Sequence, residues 1–338
     1  MTLQFTPGRK RSGASISKPA PVAAAQPSTE SCGTEAPLAA SSAALAMRLD
    51  ELRAAMVEAV NAGRPQEADQ LSVQAVAVAR KEGNPLDIER FECIRANILV
   101  GLGRTQEAAS NMRKLLLRST DTANRFAASY AIAQHHYAVN ENERSIFFAR
   151  QALRYAEERG EPELLATGNN LMATLLLRES YFAEAGICFE EALKFYPAGY
   201  ERAGIQANLG YCLTVTGKVT LAFRQLTSSL RTMNRLKLGG WRRFPHLALA
   251  YAYVEIGRYQ RAVQHAARSL EISQATPGAE EQWKNSLYLL GEAKKLGGRD
   301  AEAWEHFTAL QKHFYPDQPF IVDVLMATDV RKMINLMS

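Results

Sequence analysis

Seven times along the chain a turn-forming residue is followed five positions later by a small one. The turn residues are Gly63, Gly103, Asn140, Ser180, Gly217, Gly257 and Gly298, and the small residues are Ala68, Ala108, Ser145, Ala185, Ala222, Ala262 and Ala303. Successive small residues lie 40, 37, 40, 37, 40 and 41 positions apart. A second set of breaks keeps the same rhythm between these turns: "GNP" at 83–85, "STD" at 119–121, "GEP" at 160–162, "YPAG" at 196–199, "GG" at 239–240, "TPG" at 276–278 and "YPDQP" at 315–319. The stretches between breaks show 3.6-residue apolar periodicity and no strand alternation. Two markers on one beat therefore define a repeating pair of helices. No such pair buries its apolar face alone, so the pairs must stack into one continuous core.

Local chemistry supports the helix starts. Asn84 is placed to cap a helix with Pro85 at its first position, and Thr120 or Asp121 can cap the one after "STD". Before the first repeat, residues 1–45 are rich in Pro, Ala and Ser with few large apolar side chains. Such a segment buries too little surface to offset its ordering entropy and reads as a disordered leader. It lacks the apolar stretch of a secretory signal. Residues 46–316 read as the helical array. In 317–338, Ile321, Val324, Leu325, Val330, Met333 and Ile334 continue a helical apolar pattern, which predicts an amphipathic helix capping the exposed end of the array.

The motifs within the repeats resemble the tetratricopeptide repeat family, which pairs L-G-x-x-Y on a first helix with A-x-x-x-F-x-x-A on a second. One unit offers Met172-Ala173, Ala185, Phe189, Ala192 and Pro197. The next offers Leu209-Gly210, Gly217, Ala222 and Leu226. The following two offer Leu249-Ala250, Tyr253, Gly257, Tyr259 and Ala262, then Leu290-Gly291, Gly298, Ala303 and Phe307. The resemblance covers roughly residues 48 to 315. The period exceeds the family's usual length of about 34 residues, as in the longer repeats of kinesin light chain and of bacterial regulatory helical-repeat domains. HEAT-type repeats share the length without the Gly/Ala signature. The resemblance implies an all-α fold, a right-handed superhelical solenoid of about seven helix–turn–helix repeats with a C-terminal capping helix.

Catalytic motifs are absent from the sequence: it has no H-E-x-x-H, no P-loop and no G-x-S-x-G turn. His135 and His136 are adjacent and point about 100° apart on a helix, which disfavours joint ligation of a metal. Glu302 and His306 stand at i,i+4 with no further ligand beside them, and read as a surface pair. Cys32, Cys93, Cys188 and Cys212 show no pairing pattern, which fits a reducing compartment and a cytoplasmic location. No apolar run reaches membrane-spanning length. The net charge of +5 is spread along the chain, whereas a nucleic-acid surface calls for a basic stripe. The "LGGWRRF" stretch at 238–244 reads as a linker that packs Trp241 onto the core.

On each first helix, the residue after the small crossing residue shares a face with those four before and three after it. That face should look into the superhelix. It collects Asn97, Tyr130, Gln134, Tyr137, Asn170, Thr174, Tyr211, Tyr251 and Tyr288, with Glu292 and Lys295 beside the last. Tyrosine supplies rigid amphipathic area, and amides can hold a peptide backbone. The same tyrosines can also pack between successive first helices. Asn169, next to Asn170, falls at a position normally apolar and must find a hydrogen-bond partner or shift the local register.

In tetratricopeptide proteins the inward face commonly grips peptides, so the resemblance implies a non-catalytic scaffold that binds a protein or peptide segment without cofactor or metal. An alternative from the same resemblance is a ligand- or peptide-responsive regulatory module. The 45-residue leader and short tail leave no room for a DNA-reading domain, so such a module would act on a separate effector. An RNA-binding repeat ranks behind both because positive charge along the face is sparse.

Overall fold

The computed structural model describes residues 38–337, which form fifteen α-helices and no strand among them. They divide into two units, with the boundary between Gly103 and Arg104. The first contains α1 (Leu38–Asn61), α2 (Pro65–Glu82) and α3 (Pro85–Gly101). Its core is built from Met56, Ala59, Ala68, Ala75, Val78, Phe91 and Ile98. Asn84 caps α3 by accepting the Leu86 N–H at 3.1 Å, with Pro85 at the first helical position. Helix α1 starts at Leu38, within the stretch expected to be leader. Residues 1–37, with Cys32, lie outside the described residues.

The second unit contains α4 (Thr105–Arg118), α5 (Thr122–Ala138), α6 (Asn142–Arg159), α7 (Pro162–Arg178), α8 (Phe182–Phe195), α9 (Tyr200–Val215), α10 (Val219–Arg235), α11 (Arg243–Glu255), α12 (Tyr259–Gln274), α13 (Glu280–Leu296), α14 (Asp300–Phe314) and α15 (Ile321–Ala327). Asp121 caps α5, accepting the Asn124 N–H at 2.8 Å. All seven turn residues singled out in the sequence adopt the left-handed conformation, with φ between 61° at Asn140 and 79° at Gly217. In most of these turns the amide of the next residue reaches back to a carbonyl five positions earlier, as Lys218 does to Leu213 at 2.8 Å. That bond closes the helix end and reverses the chain.

The alternation of 37 with 40 or 41 residues follows from second-helix length. The 37-residue steps leave from α4 and α8, each of 14 residues. The longer steps leave from α2 and α6 (18 residues), α10 (17) and α12 (16). Losing about one helical turn removes about three residues from the step.

Close crossings hold each pair together. A Cβ added at Gly210 would lie 2.4 Å from the Leu226 side chain, and one at Gly291 would lie 2.5 Å from the Phe307 ring. Ala185, Phe189 and Ala192 are fully buried on α8. Where serine replaces alanine at a crossing, its hydroxyl finds a carbonyl on the facing helix: Ser145 donates to Ala133 at 2.9 Å and Ser229 to Ala203 at 2.6 Å. Such bonds remove the penalty of a buried hydroxyl.

Two expectations need correction. The last helix ends at Ala327, and residues 328–337 are irregular, so Val330, Met333 and Ile334 do not extend an amphipathic cap. Trp241 is not packed into the core. It sits half open in a short 3-10 turn, its ring 5.9 Å from that of Phe244, and the Arg243 guanidinium lies 4.3 Å from the Phe244 centroid.

Candidate functional site

Within the second unit, α5 touches α7, α7 touches α9, α9 touches α11 and α11 touches α13. First helices of this unit thus form a continuous layer. Asn97 lies half-buried on α3, in the other unit.

At the α5–α7 end the face is partly open. Gln134 donates to the Tyr130 hydroxyl at 3.0 Å. The Arg178 guanidinium lies over the Tyr137 ring at 4.6 Å and donates to the Tyr137 carbonyl at 3.2 Å. Thr174 donates to the Asn170 carbonyl at 2.8 Å. The Asn170 side-chain amide is half-buried and makes no hydrogen bond among the described residues. Asn169 has a partner, the Leu165 carbonyl at 2.9 Å, so the helix keeps its register.

At the α9–α13 end the tyrosines are covered: Tyr211, Tyr251 and Tyr288 are 1%, 2% and 3% exposed. Tyr211 and Tyr251 lie side by side, ring centroids 5.8 Å apart. What covers them is partly the segment after α15. The Tyr211 hydroxyl accepts the Leu336 N–H at 3.0 Å, and Asn285 donates to the Leu336 carbonyl at 3.0 Å. Asn335 donates to the Leu177 carbonyl at 2.6 Å. The Tyr288 hydroxyl is turned toward the Val330 backbone.

Charges fasten the other end of this segment. Arg331 pairs with Glu255 of α11 at 3.1 Å and with Asp329 at 2.5 Å. Lys295 pairs with Glu292 at 2.8 Å and donates to the carbonyls of Leu325 at 2.6 Å and Thr328 at 3.1 Å. Burial pushes the Glu292 carboxyl above the usual carboxylate range, against the pull of Lys295. The Arg331 hydrogen bond holds Asp329 below it. Burial also pushes Tyr251 up to about 12, with Glu255 adding to the effect. A cavity of about 440 Å³ opens between α13, α14, α15 and the segment, lined by Asn285, Tyr288, Leu325, Val330 and Asn335 among others.

Sequence reasoning placed Glu292 and Lys295 on this face but missed Glu255, Asn285 and residues 328–337. Glu255 stands four residues after Tyr251 and Asn285 three before Tyr288, so helical spacing alone could have found them. Residues 328–337 carried no comparable signal.

The other clusters are tied up by local partners. His136 bonds Glu141 at 2.7 Å, His135 lies 3.2 Å from the Thr105 hydroxyl, and Glu302 pairs with Lys294 at 2.7 Å. Among the described residues no three potential ligands gather in a metal-binding arrangement. Among the described residues Cys93, Cys188 and Cys212 form no disulfide, and burial pushes Cys212 up to about 12. No helix there is long and apolar enough to cross a membrane.

Helix pairs, glycine crossings and a layered inner face define a tetratricopeptide-type helical repeat fold. Solved structures bear the same fold. Apo RapI superposes with a TM-score of 0.61 over 86% of this chain and 85% of its own, at 14% identity. A Rap protein complexed with competence and sporulation factor gives 0.60 over 80% and 76%, also at 14% identity. NprR in complex with its cognate peptide NprX gives 0.59 over 84% and 82%, at 13% identity. No family model matches the sequence, and no curated protein does.

Proposed function

We propose that this chain is a non-catalytic, cytoplasmic regulatory scaffold whose second unit binds a peptide or protein segment along the face of α5, α7, α9, α11 and α13. One observation carries the reading: side chains of this face already hold main-chain groups of an irregular segment, Tyr211 and Asn285 taking the N–H and C=O of Leu336. Side-chain donors and acceptors that satisfy a backbone do so whatever the sequence bound, which is how grooves receive peptides. Gln134, Tyr137, Asn170 and Thr174, half-buried beside the buried Tyr130, form the continuation of the groove, with the Asn170 amide free for the same work. The NprR structure, solved with its cognate peptide, supports this reading and the sensor form of it, in which occupancy alters the hold on a separate effector.

Selection from a random-peptide display library on the full chain tests this. Gln134→Ala with Asn170→Ala removes two half-buried amides outside the packed core. Loss of one or two hydrogen bonds predicts about ten-fold weaker binding of the selected peptides, with unchanged thermal melting. Peptides that bind the double variant as well as the wild type would overturn the groove assignment.

A further inference from the structure

The segment after α15 behaves as an occupant of the groove. We infer that residues 328–337 are an internal ligand that an incoming peptide must displace, and that such a peptide offers a basic residue and, about five positions on, a leucine-like side chain. This inference rests on the reading of the face as a peptide site.

The path of the segment argues against a simple cap. Closing the end of a stack requires an apolar element laid on the last helix pair. Helix α15 already does this, with Val322 and Leu325 buried next to α14. Residues 328–337 instead run back along the array. They meet Lys295 and Tyr288 on α13, then Glu255 on α11, Tyr211 on α9 and finally Leu177 at the end of α7. Those contacts lie on four successive first helices, along the row from which a peptide site was read in the sequence.

The mode of attachment is that of a ligand. Leu336 is 1% exposed and is the one side chain of the segment sunk into the core. Both of its backbone polar groups are received by side chains of the groove. Arg331 reaches Glu255, a carboxylate that any basic residue at the same place can meet. Between these anchors Lys332 is exposed and Met333 is 76% exposed, while Asn335 is half-buried and donates to the Leu177 carbonyl at 2.6 Å. Such a segment, with one fully buried side chain and otherwise hydrogen bonds and an ion pair, can leave without unpacking a helix. The spacing of the two anchors, Arg331 and Leu336, sets the pattern expected of its competitor.

Two full-chain variants release the segment in different ways. Leu336→Asp places a charge at the buried anchor, and Arg331→Glu opposes Glu255 at a half-buried position where misfolding is a lesser hazard. The probe is a fluorescein-labelled synthetic peptide of residues 328–337, followed by anisotropy. Expected are binding to both variants, at least about ten-fold weaker binding to the wild type, and faster hydrogen exchange at the Leu336 amide in both variants. Should Leu336→Asp melt early, Arg331→Glu carries the comparison. Equal affinity of the probe for all three chains, or exchange at Leu336 unchanged in Arg331→Glu, overturns the internal ligand. Display-selected peptides that bind wild type and variants equally sink the internal ligand and leave the groove standing. Failure of every peptide to bind any of the three chains sinks both.

Discussion

His246 on α11 and His265 on α12 face each other with their Nδ1 atoms 2.9 Å apart, so only one of those nitrogens can carry a proton. Burial, with His265 and nearby arginines adding to it, pushes His246 down to about 4, and burial lowers His265 as well. In the unfolded chain both titrate near 6.5, so acid protonates the unfolded state first. Stability from the pair is therefore full above about pH 6.5 and is lost as pH falls toward 4. The expected loss for His246 is up to about 3 kcal/mol. Thermal melting between pH 7.5 and 5 should show a fall that His246→Phe reduces; an identical fall in the variant would rule the pair out as its source. The raised Glu292 carboxyl acts in the opposite sense, and comparing the two chains cancels it. Residue-level chemistry was only partly legible in the sequence. The spacing singles out Asn170, which is half-buried on α7, whereas the partner of Asn169 is a carbonyl of its own helix, which spacing does not reveal. The His246–His265 contact depends on how two helices cross, and nothing in the local pattern reports it.

Among elements, the turns and crossings were the legible part. A left-handed turn needs glycine or a tolerant substitute, and a close crossing needs a missing side chain, so both leave marks on composition. Ala185→Arg at a fully buried crossing should destabilise the fold by about 3 kcal/mol or more, through overpacking and burial of charge. An unchanged melting temperature would contradict the crossing. Lys237 offers the reverse case: it is exposed and holds φ at 54° without being glycine. Lys237→Gly relieves that strain and should raise stability by up to about 1 kcal/mol, measurable by urea unfolding. The end of α15 was illegible for a physical reason. Val330, Met333 and Ile334 keep a helical beat, but Asp329 accepts the Arg331 backbone N–H at 3.0 Å and Met333 donates to Val330 at 2.9 Å, turning the chain. Partners on α7, α9, α11 and α13 then supply what a helix would have supplied, and tertiary contacts override local propensity.

For the molecule, stability in a repeat array is a sum of neighbour contacts, and local opening is set by the nearest interfaces. Residues 328–337 add long-range ties to α7, α9, α11 and α13 and none among the described contacts to α5 or α6. Releasing them with Arg331→Glu should speed hydrogen exchange in α13 to α15 and leave α5 and α6 unchanged. Uniform acceleration along the array would show instead that the whole unit had loosened. The path of this segment also has a bearing on biosynthesis. A chain is made from its first residue onward and its early domains fold during synthesis, so the walls of the groove, α5 to α13, emerge before residues 328–337 exist to occupy them. If that segment is the internal ligand proposed above, a partner present during synthesis would meet the groove before its competitor is made. A finished molecule offers the same partner a site that must first be vacated, so the moment of encounter, as well as concentration, would govern how much complex forms.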